Sequence, residues 1–492
     1  MAPDRPRTAK FFPGTDFVPL ASTDYPADAS VQAGLTRPGG TDRFTLPLLG
    51  GLLLDSYGLL GWRLGSRAGT GPAPGYPQAC WSRGTASGGD LYPISVYWAA
   101  GPSGPLLPGL YHYSPGRHGL DRLLAGDVAA EVREAAGGPE TDHFLLLGVQ
   151  FWQHSFEYGS RSYQVAAMDT GALLQTWRTW AHARGLLVEP VLWFDEPRLT
   201  RLLGVDPARE GLFAVIPLRW SGVPDDCDPP VGPRVRRSDA CPSRTLPDLE
   251  PVGALHASTV DARVRPDRSA LDGAGPPAVP AGGERVALPA PAPLDMDVRT
   301  ALRSRRNGPG RFTGQLPTTQ PQLAAVLAAA AAGAELPTDV TGPGRPLASL
   351  HVVVNHVEGI TPGSYRYVPA TGELRLVAAG SPAGFLRRTC SPGGGDLEQA
   401  GVVLVPAVRT GAVLAAAGDR GHRLVTALVG ASCQAVQLAT AALGLACGTA
   451  LGFDAVSYVR ELGLARTGEI PLLLLMVGPQ GAPPGDFRYE IG

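Results

Sequence analysis

The segment SFEYGSRSYQVAAMDTGALLQTW, residues 155–177, has a disguised counterpart in GDRGHRLVTALVGASCQAVQLAT, residues 418–440. Placing Gly171 on Gly430 brings Tyr163 onto His422, Gln175 onto Gln434 and Gly185 onto Gly444 without a gap. Phe194-Asp195 then falls on Phe453-Asp454, Gly204 on Gly463 and Glu210 on Glu469, all at one step of 259 residues. So many matches at a single period indicate an internal repeat, and a repeat constrains the fold more than any single motif. Upstream the echo continues with changed spacing. PGLYHYSP (108–115) answers PGSYRYVP (362–369), and Arg37 with Arg43-Phe44 shares the spacing of Arg305 with Arg311-Phe312.

A chain of 492 residues exceeds what one core usually supports, so two domains are expected: residues 1–220 and residues 296–492. Residues 221–295 are dense in Pro and Gly and poor in aliphatics, and read as a linker. Within the units, Leu91–Ala99 and Ser349–Val357 read as strands, and Leu173–Arg184 and Leu323–Ala332 as helices. The expected fold class is α+β, duplicated in tandem.

A net charge of −2 gives no electrostatic case for nucleic acid or an anionic membrane. The six Cys are scattered without CxxC spacing and the nine His form no metal-ligand pattern, so a reducing cytoplasm and no metal are expected. Thirty uncharged residues from Leu424 to Phe453 are long enough to span a bilayer. Gln434, Gln437, Ser432, Thr440 and several Gly interrupt them, which favours a buried core helix.

The order of motifs, Arg-x5-Arg-Phe, ASGGDLYPISVYW, GLYHY, YGSRSYQVAAMDTGALLQ and WFD, resembles the SagB-type dehydrogenases of the nitroreductase superfamily. Those are FMN enzymes that oxidise thiazoline and oxazoline rings in ribosomally made peptides to azoles. The resemblance implies a nitroreductase-like fold in which two units form an intramolecular pseudo-dimer, with flavin at their interface. It also implies an azoline-containing precursor peptide as substrate and a cyclodehydratase as partner. The alternatives are a flavin oxidoreductase for another heterocyclic or carrier-bound substrate, and a flavin-free scaffold.

Guanidinium forks and free amides suit a phosphate, and Arg305, Arg306, Asn307 and Arg311 are expected to supply them beside a helix start. By the resemblance, Ser87, Gly88 and Gly89 of the first unit would back the flavin ring, with Gly448 and Gln434 completing the site from the second. The other interface, with Arg37 and Arg43, lacks a Ser-Gly-Gly segment, so one FMN per chain is expected. Where the family carries a Lys-Tyr pair, this sequence has Glu157-Tyr158, followed by Arg161. Tyr158 is the first candidate for proton transfer. Glu157 is either a base, if buried, or the partner of Arg161 four residues on.

Overall fold

In the computed structural model, residues 7, 9–65, 78–222, 232–240, 249–279, 283–305, 312–389, 397–481 and 487–490 are described. The first sheet follows from β-branched and aromatic runs such as Ile94–Ala100 and His143–Gln150. Its order is Asp16–Pro19, Gly119–Ala125, Gly109–Ser114, Ile94–Ala100, His143–Gln150, Glu210–Pro217, all antiparallel. Five strands of the second sheet repeat that order: Glu373–Ala379, Gly363–Val368, Ala348–Val354, Val402–Val408, Leu474–Gly478. At the edge, Arg285–Ala287 takes the place that Asp16–Pro19 holds in the first.

Alternation along the strands divides each sheet into two apolar faces. Val96 and Trp98 face a core shared by both units, whereas Tyr97 and Ala99 face an outer cluster with Phe144 and Leu199. In the second sheet Val352 and Val354 point inward, and Val353 joins Val403 and Tyr458 outside. The layers are therefore outer helices, sheet, central helices, sheet, outer helices.

The central layer is made by the helices Ser162–His182 and Gly421–Ala442. Both are free of Pro and rich in Ala, Leu and Gln, which favours helix. Each carries a mid-helix Gly that propensity disfavours. The packing explains it: a Cβ on Gly171 would stand 1.8 Å from the Ala427 carbonyl, and one on Gly430 would stand 1.9 Å from the Met168 carbonyl. The helices thus cross at two reciprocal glycine contacts, related by the step of 259 that also separates Phe151–Tyr158 from Thr410–Ala417 and Glu196–Leu203 from Ala455–Glu461.

The apolar stretch is the core helix that its interrupting polar residues favour. The helix Gly421–Ala442 is long and apolar enough to cross a membrane, yet it is buried inside the molecule. It is not more buried than its polar counterpart, since 19 of 22 residues are buried in the one and 19 of 21 in the other. The first long helix offsets its polarity with hydrogen bonds, such as Trp177 Nε1 to Ser56 Oγ at 2.7 Å and Trp180 Nε1 to Asp55 Oδ2 at 2.9 Å.

The reading of residues 221–295 as a linker needs correction in its described parts. The helix Glu250–Asp261 buries Val252, His256 and Thr259, the 3-10 turn Arg268–Ala274 buries Leu271 and Ala274, and Arg285–Ala287 joins the second sheet. These few side chains build no core of their own. They fill surfaces that the two units already present, so tertiary docking offsets the ordering entropy.

Candidate functional site

Ser87 precedes a short 3-10 turn, Gly88–Asp90, that connects to the strand Ile94–Ala100. Its backbone is strained. Gly89 has φ +62°, and Asp90 and Tyr92, at φ 56° and 49°, are two of the three non-glycine residues with positive φ among those described. Such conformations persist where the surroundings over-determine them, and they cluster at functional sites.

The surroundings here come from both units. From the second, Arg305 buries its guanidinium against the preceding carbonyls: Nε donates to Gly84 O at 2.8 Å, Nη2 to Arg83 O and Thr85 O at 2.9 and 2.7 Å, and Nη1 to Gln437 Oε1 at 2.8 Å. Gln434 accepts from the Ala86 amide at 3.0 Å through Oε1. Its Nε2 is buried without a hydrogen-bond partner among the described residues.

From the first unit, Asp169 takes the Ser87 hydroxyl at 2.5 Å and the Gly88 amide at 3.0 Å. Ser87 Oγ in turn accepts from the Tyr92 amide at 2.9 Å. His154 Nε2 lies 3.1 Å from Asp169 Oδ2. A Cβ on Gly88 would stand 2.5 Å from Val165 Cγ1 and 3.3 Å from the Tyr158 hydroxyl, and one on Gly89 would stand 2.7 Å from Glu157 Oε2. Glycine is what lets these groups close over the turn.

Of the residues singled out in the sequence, Ser87, Gly88, Gly89, Tyr158, Glu157, Arg305 and Gln434 therefore meet in one place. Three differences from expectation follow. Arg305 caps the C-terminal end of the helix Val298–Ser304 rather than standing at a helix start, and it builds the wall behind the turn. Glu157 is exposed, so the burial required of a base is missing, and it forms no ion pair with Arg161 among the described residues. Arg161 is exposed as well, with Nη1 3.5 Å from Leu451 O of the second unit. Gly448 is buried on the edge strand Ala446–Ala450, opposite Met476. Arg306, Asn307 and Arg311 lie outside the described residues.

The sequence reading does not single out His154 or Asp169. A signal was available, because Asp169 is the only acid in a helix that is almost wholly buried, and its counterpart one step of 259 later is Leu428.

The second junction of the two units is built differently. Arg37 is exposed, and Arg43 Nη1 donates to Trp220 O at 2.9 Å. Counting back from Ser349 as Ser87 lies before Ser95, the turn reads Thr341-Gly342-Pro343. A cavity of about 1050 Å3 opens there, lined among others by Arg43, Glu189, Pro190, Asp339, Thr341 and Gly342. Asp339 of the second unit accepts from the Leu192 and Trp193 amides of the first at 2.8 and 3.1 Å. Burial pushes its carboxyl up, against the pull of those amides and of Arg265.

Beside it lies a buried charge cluster. Arg423 Nη1 is 2.8 Å from Glu196 Oε2, Nη2 is 2.9 Å from His256 Nδ1, and Nε donates to Tyr163 Oη at 2.5 Å. Arg420 Nε donates to Leu192 O at 2.8 Å, the counterpart of the contact between Arg161 and Leu451. Burial pushes the Glu196 carboxyl up, but Arg423 and Arg420 outweigh it and hold the group below its usual range. Burial, reinforced by Arg423, lowers His256 to about 4.

No family model and no curated protein matches this chain. Among solved structures, a candidate nitroreductase from Anabaena variabilis is 21% identical and superimposes with a TM-score of 0.70, covering 98% of this chain and 96% of its own. A candidate nitroreductase from Ralstonia eutropha is 21% identical over 43% of this chain and 95% of its own, with a TM-score of 0.33. The E. coli microcin synthetase McbBCD complex, with truncated pro-MccB17 bound, is 19% identical over 44% of this chain and 78% of the matched one, with a TM-score of 0.29. Over almost its whole length, with both sheets and the helices between them, the chain shares its fold with a nitroreductase-like structure.

Proposed function

We propose that this chain is an FMN-dependent oxidoreductase which dehydrogenates thiazoline and oxazoline rings in a ribosomally made peptide. The two units are read as a tandem duplication folded into a pseudo-dimer, with one productive flavin site at the first junction. The observation that carries this reading is the turn Ser87–Tyr92 of one unit, strained at Asp90 and Tyr92, with the segment Arg83–Ala86 before it held by Arg305 and Gln434 of the other unit and Tyr158 beside Gly88.

The residues present fit an acceptor-rich planar group. Gln434 is held by its oxygen while its buried Nε2 donor is unspent, which suits a ring carbonyl or nitrogen. Arg306, Asn307 and Arg311 are assigned to the phosphate and Gly448 to the opposite wall, whereas Arg305 has already spent most of its donors on carbonyls.

Aromatising an azoline removes one ring hydrogen as a proton and one with its electron pair, and bound FMN would accept that hydride. Tyr158, half-buried beside Gly88, would carry the proton in this reading, and the exposed Glu157 lies against Gly89.

The test begins with the purified protein, which should be yellow and carry about one FMN per chain. Incubation with an azoline-bearing peptide should then remove two hydrogens per ring, read by mass spectrometry. Protein that neither carries nor takes up FMN would overturn the reading in favour of a scaffold. Bound FMN without ring oxidation would instead leave an oxidoreductase for another heterocyclic or carrier-bound substrate.

A further inference from the structure

His154 and Asp169 form a buried pair under the turn, with 0% and 6% of their surfaces exposed. Burying a histidine beside a carboxylate carries a desolvation cost, and a hydrophobic pair of similar shape is often as good for stability. The molecule makes that comparison itself. One step of 259 later, the same two positions on the matching helices Thr410–Ala417 and Gly421–Ala442 are the buried Val413 and Leu428. The helix pair therefore packs without charge at this place, and the fold does not require it.

What the polar pair does at the first junction is local. One carboxylate takes Ser87 Oγ and the Gly88 amide while facing His154 Nε2. Within five residues of Ser87, three backbones are in the left-handed region, two of them not glycine. The His154 ring lies obliquely against Tyr158, with centroids 5.6 Å apart, and both its ring nitrogens are buried without a hydrogen-bond partner among the described residues, Nε2 facing Asp169 Oδ2 at 3.1 Å.

We propose that His154 and Asp169 are positioning residues, which hold the strained Ser87–Tyr92 turn and the Tyr158 ring in place for a ligand, and that this polar pair serves the site rather than the fold. The ligand rests on the flavin reading above; the ordering of the turn does not.

The test replaces both at once, His154→Val with Asp169→Leu, installing the pair that the second unit carries. Expected are an unchanged melting temperature, hydrogen exchange at amides 84–92 faster by at least about tenfold, and FMN bound at least about tenfold more weakly by fluorescence titration. Wild-type exchange and affinity in this variant would overturn the proposal. So would failure to fold, which would show that the fold needs the pair. Asp169→Asn, which keeps the shape, should loosen the same amides by a smaller factor; unchanged exchange there also counts against it. If wild-type protein takes no FMN, the flavin reading falls, and the exchange rates alone decide on the pair.

Discussion

At the first junction, Gln434 reaches across the seam to the Ala86 amide; at the second, its counterpart Gln175 stays within its own helix, donating to Thr179 Oγ1 at 3.0 Å. The contrast extends around both. Tyr158, His154, Asp169 and Gly448 on one side become Ala417, Val413, Leu428 and Glu189 on the other. Gly89, which keeps an amide, faces a pseudo-equivalent Pro343, which has none. The second junction has a cavity lined by Arg43, Arg219 and the carboxylate of Asp339. Its buried charge cluster joins Glu196, Arg420 and Arg423 to His256, which the helix Glu250–Asp261 of the intervening segment supplies. On one backbone plan, the first junction carries the proposed flavin site and the second a lock of buried charges.

The largest expected effect tests the lock. Glu196→Gln leaves Arg420 and Arg423 buried without their carboxylate, and removing one partner of such a cluster costs about 3–5 kcal/mol. Urea unfolding should show a loss of that order. A change under about 1 kcal/mol would mean that the cluster holds nothing together. Next in size is Tyr158→Phe, expected to lower ring oxidation by about 10²- to 10⁴-fold with FMN content unchanged. Unaltered turnover would remove the tyrosine from proton transfer and with it the main difference in chemistry between the junctions.

Acid should affect the lock through His256. Its folded pKa of about 4 lies below the ordinary value of about 6.5, so above pH 6.5 the native and unfolded chains are both neutral there. As pH falls from about 6.5 to about 4, the unfolded chain takes up a proton that the native one refuses, and stability is lost. The loss levels off below pH 4, at about 1–3 kcal/mol for this histidine. His143, His182 and His351 are lowered to about 4 by burial and act in the same direction. Comparing the pH dependence of unfolding for wild type and His256→Phe isolates the lock, and identical slopes would show that His256 is not part of it.

The architecture was legible because its causes are local and repeated. The apolar runs Leu91–Ala99 and Ser349–Val357 overlap the central strands Ile94–Ala100 and Ala348–Val354, and the aligned Gly171 and Gly430 turn out to lie where the two long helices cross. Gln434 of the second unit lies against Ala86, directly before the Ser87–Gly89 turn of the first, the two segments that the sequence reading pairs across the units. The helix Glu250–Asp261 was not legible, since it buries three residues against surfaces that exist only after the units have docked. The His154 and Asp169 pair escaped for a related reason: fifteen residues separate them in the chain, and no spacing rule joins a residue on one helix to one on the next. Arg305 shows the opposite error, in which correct placement was joined to the wrong partner, because backbone carbonyls leave no trace in a sequence.

Arg161 and Arg420 provide the finest test, because they are counterparts that reach for the matching carbonyls Leu451 and Leu192. Arg420 is 1% exposed, and burial lowers it to about 10, so its contact cannot be replaced by water. Arg161 is exposed, and its contact at 3.5 Å competes with solvent. Arg161→Ala should therefore change stability by less than about 0.5 kcal/mol, as surface substitutions do. The same change at Arg420 should cost several times more, because it strips Glu196 of a neighbour inside the lock. If Arg161→Ala nevertheless slows ring oxidation at full stability, the exposed arginine belongs to the proposed flavin site by its charge and not by its contact. If neither stability nor rate moves, its place in the site is an inheritance of the repeat alone.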